Sequence, residues 1–163
     1  MPETMVEATT PAAQLEHKIR TRTATVGVVG LGYVGLPLLR AFFQAGFPVV
    51  GYDIDAAKIA MLKRGDSYLK HLGTDFVQEM AKSPKFLPTS DAKDLGKADA
   101  IILCVPTPLG KHGEPDMSYI EKSTEMVAKV LRKGQLISLE STTYPGTTRG
   151  DCMPILDKTG LKA

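Results

Sequence analysis

The hexapeptide Gly30-Leu31-Gly32-Tyr33-Val34-Gly35 restricts the fold of this chain more than any other stretch. It follows directly on an apolar run, Thr25 to Val29, that reads as a buried strand. It opens an apolar-periodic segment, Leu36 to Ala45, that reads as a helix closed by Gly46. Glycines at this spacing between a strand and a helix suit the passage of a dinucleotide pyrophosphate. The first allows a tight turn, the second lets the backbone approach the phosphates, and the third lets the helix pack closely on its strand. The unpaired N–H groups and positive dipole end of the helix then face the negative charge. Pro37 is compatible because the first helical turn has N–H groups without intrahelical partners.

The pattern repeats along the chain. Pro48 to Tyr52 reads as a strand and Asp55 to Arg64 as a helix closed by Gly65. Thr74 to Lys82 reads as a helix, Lys85 to Leu87 as a short strand, Ala98 to Val105 as a strand, Ser118 to Leu131 as a long helix and Gln135 to Glu140 as a strand. The run Ala-Ile-Ile-Leu-Cys-Val from Ala100 is apolar on both faces, as a central parallel strand covered by helices must be. Alternation of this kind predicts an α/β fold, a doubly wound parallel sheet of the Rossmann type, with right-handed crossovers. A last helix from about Gly146 to Lys158 should lead into a final strand, and the sequence stops at Ala163, so the sheet is expected to be truncated before that strand. Ahead of the fold, residues 1–13 read as a polar, disordered lead and Gln14 to Arg22 as a short basic helix or arm. The organisation expected is therefore an arm over 1–23 and a dinucleotide-binding domain over 24–163.

Asp53 stands at the end of the second strand, 18 positions beyond Gly35. That is close to the spacing of about 20 for an acid that accepts hydrogen bonds from an adenosine ribose. Its charge would repel a 2′-phosphate, so NAD is the expected cofactor rather than NADP. Asp55, two residues on, fits the N-cap of the next helix better than Asp53 does.

Length and composition exclude several alternatives. At 163 residues and 43% hydrophobic, the chain can bury one core. Twenty basic against eighteen acidic residues, spread without a block, give no electrostatic case for nucleic acid or an anionic membrane. Apolar runs such as Ala100 to Pro106 fall far short of the roughly 20 residues that cross a bilayer, and the N-terminus lacks the pattern of a secretory signal. A cytoplasmic protein is the default expectation. Cys104 and Cys152 have no metal-ligand spacing and are too few for a disulfide framework; Cys104 reads as a core residue of an apolar strand.

Val28 to Pro37, Gly51-Tyr52-Asp53-Ile54-Asp55, Ala98 to Leu109 and Ser141-Thr142-Thr143-Tyr144-Pro145-Gly146-Thr147-Thr148 together resemble the UDP-glucose/GDP-mannose dehydrogenase family, from about Thr25 almost to the C-terminus. Within it, Pro106-Thr107-Pro108-Leu109, Glu114-Pro115-Asp116 and Glu140 to Gly146 look most like UDP-N-acetyl-hexosamine 6-dehydrogenases. The resemblance implies an NAD site made of Gly30, Leu31, Gly32, Tyr33, Val34, Gly35, Asp53, Ile54, Lys58, Val105, Pro106, Thr107, Ser141 and Thr142. Asp53 and Lys58 would hold the adenosine ribose. From the bare sequence Lys58 is equally an exposed helix lysine. Thr107 and Ser141-Thr142 follow strands, at the ends where such sheets bind ligands. The resemblance implies that Thr107 lies beside the cofactor and that Thr142, as the catalytic residue of this segment, helps position a water near the nicotinamide. A helix cap ahead of Pro145 is the other reading of Thr142.

The family reaction oxidises a sugar C6 alcohol to a carboxylate with two NAD⁺, through a cysteine thioester. Such chemistry needs a thiolate, a base and an oriented water. The family nucleophile belongs to a glycine-rich segment far downstream, and neither Cys104 nor Cys152 has those surroundings. The chain is therefore expected to bind NAD without turning over a UDP-N-acetyl-hexosamine alone, with the central and UDP-binding domains absent. The parent enzyme is expected to be a homodimer or larger. Two alternatives stand beside this reading: the same half of a UDP-glucose 6-dehydrogenase, and a non-enzymatic NAD-binding module.

Overall fold

The computed structural model describes residues 10–162. Thr10 accepts a hydrogen bond from the Ala13 N–H and caps α1 (Pro11–Arg20), with Pro11 in the first turn, where its missing N–H costs nothing. The helix thus begins ahead of the expected Gln14. The disorder expected for the lead now concerns only residues 1–9, which lie outside the described residues.

Five strands follow, β1 (Val26–Val29), β2 (Val49–Tyr52), β3 (Phe86–Thr89), β4 (Ala100–Leu103) and β5 (Leu136–Leu139), all paired in parallel in the order β3-β2-β1-β4-β5. The connecting helices are α2 (Gly35–Gln44), α3 (Ala56–Arg64), α4 (Asp75–Ala81), α5 (Ser118–Ala128) and α6 (Met153–Asp157). Alternating side chains divide the core into two layers. Val26 and Val28 of β1 with Ile102 of β4 pack against Leu36, Leu39, Ile59, Leu62 and Met80; Val29, Ile101 and Leu103 pack on the other face with Leu95 and Val127. This is the doubly wound parallel sheet expected from the alternation of elements, and β4 is the two-sided strand its apolar run required.

Local departures have local causes. β3 reaches beyond Leu87 to include Pro88, which a sheet tolerates here because β3 is an edge strand. β4 is shorter than Ala98 to Val105: its pairing with β1 runs from Ala100 opposite Val26 to Leu103 opposite Val29 and stops where β1 gives way to the Gly30 turn. The segment expected as one helix from Gly146 to Lys158 splits into a wide π-type turn over Thr148–Cys152 and the short α6. Pro154 has no N–H to give and its ring would crowd the carbonyl four residues back, so the preceding turn widens. Two 3₁₀ turns, Lys70–Leu72 and Ala92–Lys97, occupy stretches without periodicity.

At the base of the sheet Asp99 gathers three donors: Lys18 Nζ at 2.8 Å, the Thr25 N–H at 2.9 Å and an Arg132 guanidinium nitrogen at 3.0 Å. These tie α1 and the start of β5 to the entry of β4. Burial alone would raise the Asp99 carboxyl; the hydrogen bonds from Lys18, Thr25 and Arg132 outweigh it and hold the group below its ordinary value.

Candidate functional site

β1 and β4 lie side by side, and from their carboxyl ends the chain turns to opposite sides of the sheet. The crevice at such a reversal is where open α/β sheets take ligands. The Gly30 turn fills one wall of it. Gly30 has φ +90°, and a Cβ there would stand 2.6 Å from Cys104 O. A Cβ on Gly35 would overlap the Gly30 carbonyl. Gly32 differs: nothing lies within 4 Å of where its Cβ would be. The N–H groups of Gly32, Tyr33 and Val34 have no hydrogen-bond partner among the described residues, and Val34 stands at the N-cap of α2. Open space beside unpaired donors at a helix N-terminus fits the pyrophosphate of a dinucleotide.

Asp53 adjoins this cradle. Its side chain is only 8% exposed. Oδ2 accepts the Leu31 N–H at 2.9 Å and Oδ1 the Asp55 N–H at 2.9 Å. A carboxylate offers about four acceptor positions, so capacity remains for ribose hydroxyls. Lys58 Nζ stands 3.6 Å from Asp53 Oδ2 and 5.6 Å from the Tyr68 ring centroid. Lys58 is thus a half-buried partner of Asp53, not a free surface lysine. Asp55 caps α3 by accepting from Ala57 N at 2.9 Å and Lys58 N at 3.4 Å, the role its position suggests, and Asp53 takes no part in that cap. Tyr33, Val34 and Ile54 are exposed around the cradle at 77%, 59% and 87%, an apolar rim of the kind a ligand covers.

The other expected residues lie beyond β4 and β5. Val105, Pro106 and Thr107 leave β4, and Pro108 to Asp116 folds back as a small hairpin closed by the Asp116 N–H on Pro108 O at 2.7 Å. Ser141 Oγ donates to Val105 O at 2.8 Å and binds the two strand ends together. Thr142 is exposed and its hydroxyl makes no hydrogen bond among the described residues. It caps no helix: the next turn starts at Thr148, and the hydroxyl that closes its approach belongs to Thr147, bonded to Tyr144 O at 2.8 Å. The cap reading of Thr142 is therefore set aside.

Neither cysteine is an activated nucleophile. Burial, reinforced by Glu140, pushes the half-buried Cys104 thiol up to about 11. Burial also raises Cys152, whose sulfur accepts a hydrogen bond from Thr124 Oγ1 at 3.6 Å. Among the described residues no group of His, Cys, Asp and Glu could hold a metal, and no helix is long and apolar enough to cross a membrane. An apolar cavity of about 310 Å³ lies along β5 between Leu136, Leu139, Met153 and Leu156; it contains none of the expected site residues.

Two side chains at the cradle gave no sequence signal. Tyr68 donates its hydroxyl to Leu31 O at 2.6 Å, and the His71 ring stacks on Tyr33 at 5.8 Å with 9° between planes. Both come from an irregular stretch, so only the fold brings them to the loop.

An all-parallel sheet with an open phosphate cradle at its switch point and a carboxylate at the end of β2 defines a Rossmann-type dinucleotide-binding domain. The family model for the UDP-glucose/GDP-mannose dehydrogenase family, NAD binding domain, matches residues 24–162. This chain therefore belongs to that family, as its NAD-binding domain. It is 43% identical over 139 residues to the UDP-N-acetyl-D-glucosamine 6-dehydrogenase of Pseudomonas aeruginosa, covering 84% of this chain and 32% of that protein. It is 36% identical over 138 residues to the UDP-N-acetyl-D-mannosamine dehydrogenase of Pyrococcus horikoshii, covering 84% and 33%. Among solved structures, the NDP-N-acetyl-D-galactosaminuronic acid dehydrogenase of Methanosarcina mazei Go1 superposes with a TM-score of 0.80 at 34% identity, covering 91% of this chain and 34% of that one. The chain spans about a third of the length of these relatives.

Proposed function

We propose that this chain is the cofactor-binding half of an NAD-dependent nucleotide-sugar 6-dehydrogenase that oxidises the C6 alcohol of a UDP-N-acetyl-hexosamine to a carboxylate. The observation that carries the reading is the pairing of the open Gly32 face and its unpaired N–H donors with the Asp53 carboxylate, on the switch point between β1 and β4. The names of the relatives above support the hexosamine as substrate class. Two NAD⁺ bound here in succession would each accept one hydride and so supply the four-electron oxidation.

The chain's own residues have separable tasks. Gly30 and Gly35 shape the turn, and the N–H groups of Gly32, Tyr33 and Val34 hold the pyrophosphate. Asp53, steadied by Lys58, accepts the ribose hydroxyls and disfavours a 2′-phosphate, while Ile54 flanks the adenosine. Val105, Pro106, Thr107 and Ser141 wall the nicotinamide side, and Thr142, whose hydroxyl makes no hydrogen bond among the described residues, orients a water there. With both thiols held protonated, the covalent chemistry falls to residues outside this chain, and 24–163 acts as the cofactor domain with 1–23 as its arm. A homodimeric or larger parent belongs to the same proposal and rests on the family resemblance alone; a cytoplasmic location belongs to it as the default expectation of the sequence.

Calorimetry with NAD⁺, NADP⁺ and the Asp53→Ala variant tests this. Binding of NAD⁺ that is at least tenfold weaker in the variant and for NADP⁺ is expected; equal affinity for all would overturn the Asp53 assignment. The chain alone, given NAD⁺ and UDP-N-acetylglucosamine, should give no sustained NADH production, and steady turnover would overturn the division of labour.

A further inference from the structure

Leu31 is held at three points. Its side chain is fully buried. Its N–H goes to Asp53 Oδ2 at 2.9 Å, and its carbonyl accepts the Tyr68 hydroxyl at 2.6 Å. The peptide that follows is planar and trans, so the Leu31 carbonyl and the Gly32 N–H point in opposite directions across it. Whatever fixes the carbonyl toward the protein therefore fixes the Gly32 N–H away from it, and that N–H has no hydrogen-bond partner among the described residues.

We propose that Tyr68 is a positioning residue of the phosphate cradle: by holding the Leu31 carbonyl inward, its hydroxyl presets the Gly32 N–H to meet a pyrophosphate oxygen. This rests on the NAD reading given above and deepens it. Preset donors matter because an anion gains most from dipoles that need not reorganise when it arrives. A second attachment from the same stretch supports the arrangement. Tyr68 and the 3₁₀ turn Lys70–Leu72 lie on one short connection between α3 and α4, and His71 in that turn stacks on Tyr33. The segment from Tyr68 to His71 thus straps the Gly30–Gly35 turn from outside, at Leu31 and again at Tyr33. Lys58 above the Tyr68 ring links the strap to Asp53 on the ribose side. Burial, with Asp53 and Asp55 adding to it, keeps the Tyr68 phenol well above its ordinary value, so the hydroxyl remains a donor at any physiological pH.

The test separates phosphate positioning from general support of the fold. The ¹⁵N-labelled chain and its Tyr68→Phe variant are titrated by NMR with ADP-ribose, which carries the pyrophosphate, and with adenosine, which does not. The Phe ring keeps the packing against the core and removes only the hydroxyl. ADP-ribose is expected to bind the variant roughly five- to tenfold more weakly, the loss of one oriented hydrogen bond. Adenosine should bind both forms within about twofold, and the Gly32 amide should shift on ADP-ribose addition in both, with its midpoint at roughly five- to tenfold higher ligand in the variant. Equal weakening toward both ligands would mean a structural role and overturn the proposal. So would unchanged ADP-ribose affinity in a wild-type background that binds it. A wild-type chain that is folded yet binds neither ligand would remove the NAD reading itself and the proposal with it. Should the Phe variant fold poorly, the Gly32 amide still reports: its failure to shift when ADP-ribose saturates the wild-type chain would overturn the proposal without any variant.

Discussion

At the residue scale, two glycines of one turn answer to different constraints. A methyl on Gly35 would overlap the Gly30 carbonyl, whereas one on Gly32 meets nothing in the free protein. Gly35→Ala should therefore destabilise the fold, by about 1–3 kcal/mol as overpacking commonly does. Gly32→Ala should leave the melting temperature within about 2 °C and weaken NAD⁺ at least tenfold, because the methyl would occupy the place proposed for the phosphate. Thermal melts and calorimetry on the pair check this; a Gly32→Ala variant that binds NAD⁺ normally would contradict it. The thiols give a second prediction. Stability of the protonated form at Cys104 up to about 11 leaves little thiolate at neutral pH. Iodoacetamide at about pH 7.5 should label neither cysteine appreciably in the native chain and both after denaturation, as read by intact mass. The Gly30, Gly32, Gly35, Asp53 and Asp55 positions were legible in sequence because each obeys a local spacing. Tyr68 and His71 were not, since their partners sit 37 and 38 positions earlier and no periodicity marks the stretch.

At the scale of elements, the base of the sheet depends on Asp99. Its carboxyl lies below the ordinary value of 3.8 in the folded chain. A group depressed on folding contributes stability that is fully present above its unfolded value and is lost as pH falls through its folded one. The melting temperature should accordingly fall as the pH is taken from about 5 to about 3, and Asp99→Asn should flatten that fall while costing about 1–2 kcal/mol at neutral pH, discounted because Lys18 and Arg132 are each more than a third exposed. An unchanged pH profile in the variant would place the acid sensitivity elsewhere. Element identity was readable wherever a strand or helix kept its own period: β1, α2, β2 and α3 fall within a residue or two of where the hydrophobic pattern puts them. Boundaries moved where something other than the hydrophobic period decides them. β4 ends where its partner β1 gives way to the Gly30 turn, Pro154 widens the turn ahead of α6, and the chain after α5 tightens so that Val130 and Leu131 bond to Val127 and Ala128.

For the whole molecule, the sequence displays an apolar strand before the glycine turn and a second strand apolar on both faces, and the structure sets these two side by side at the centre of the order β3-β2-β1-β4-β5. Their adjacency as β1 and β4 creates the crevice, and the Gly30 turn and the segments after β4 and β5 that the proposal assigns to the cofactor start from the strand ends around it. Substrate class is different in kind, because the residues that would grip a sugar are not among those that shape this cradle, and resemblance in the loops after β4 and β5 carries that part. The central claim is that NAD⁺ binds across the Gly30 turn and the end of β2. An NMR titration of the ¹⁵N-labelled chain with NAD⁺ tests it most directly. Shifts confined to Gly30–Gly35, Asp53, Lys58 and the ends of β4 and β5, and lost in Gly32→Ala, are predicted. A folded chain whose amides do not move, or whose shifts gather at the Asp99 end of the sheet, would contradict it.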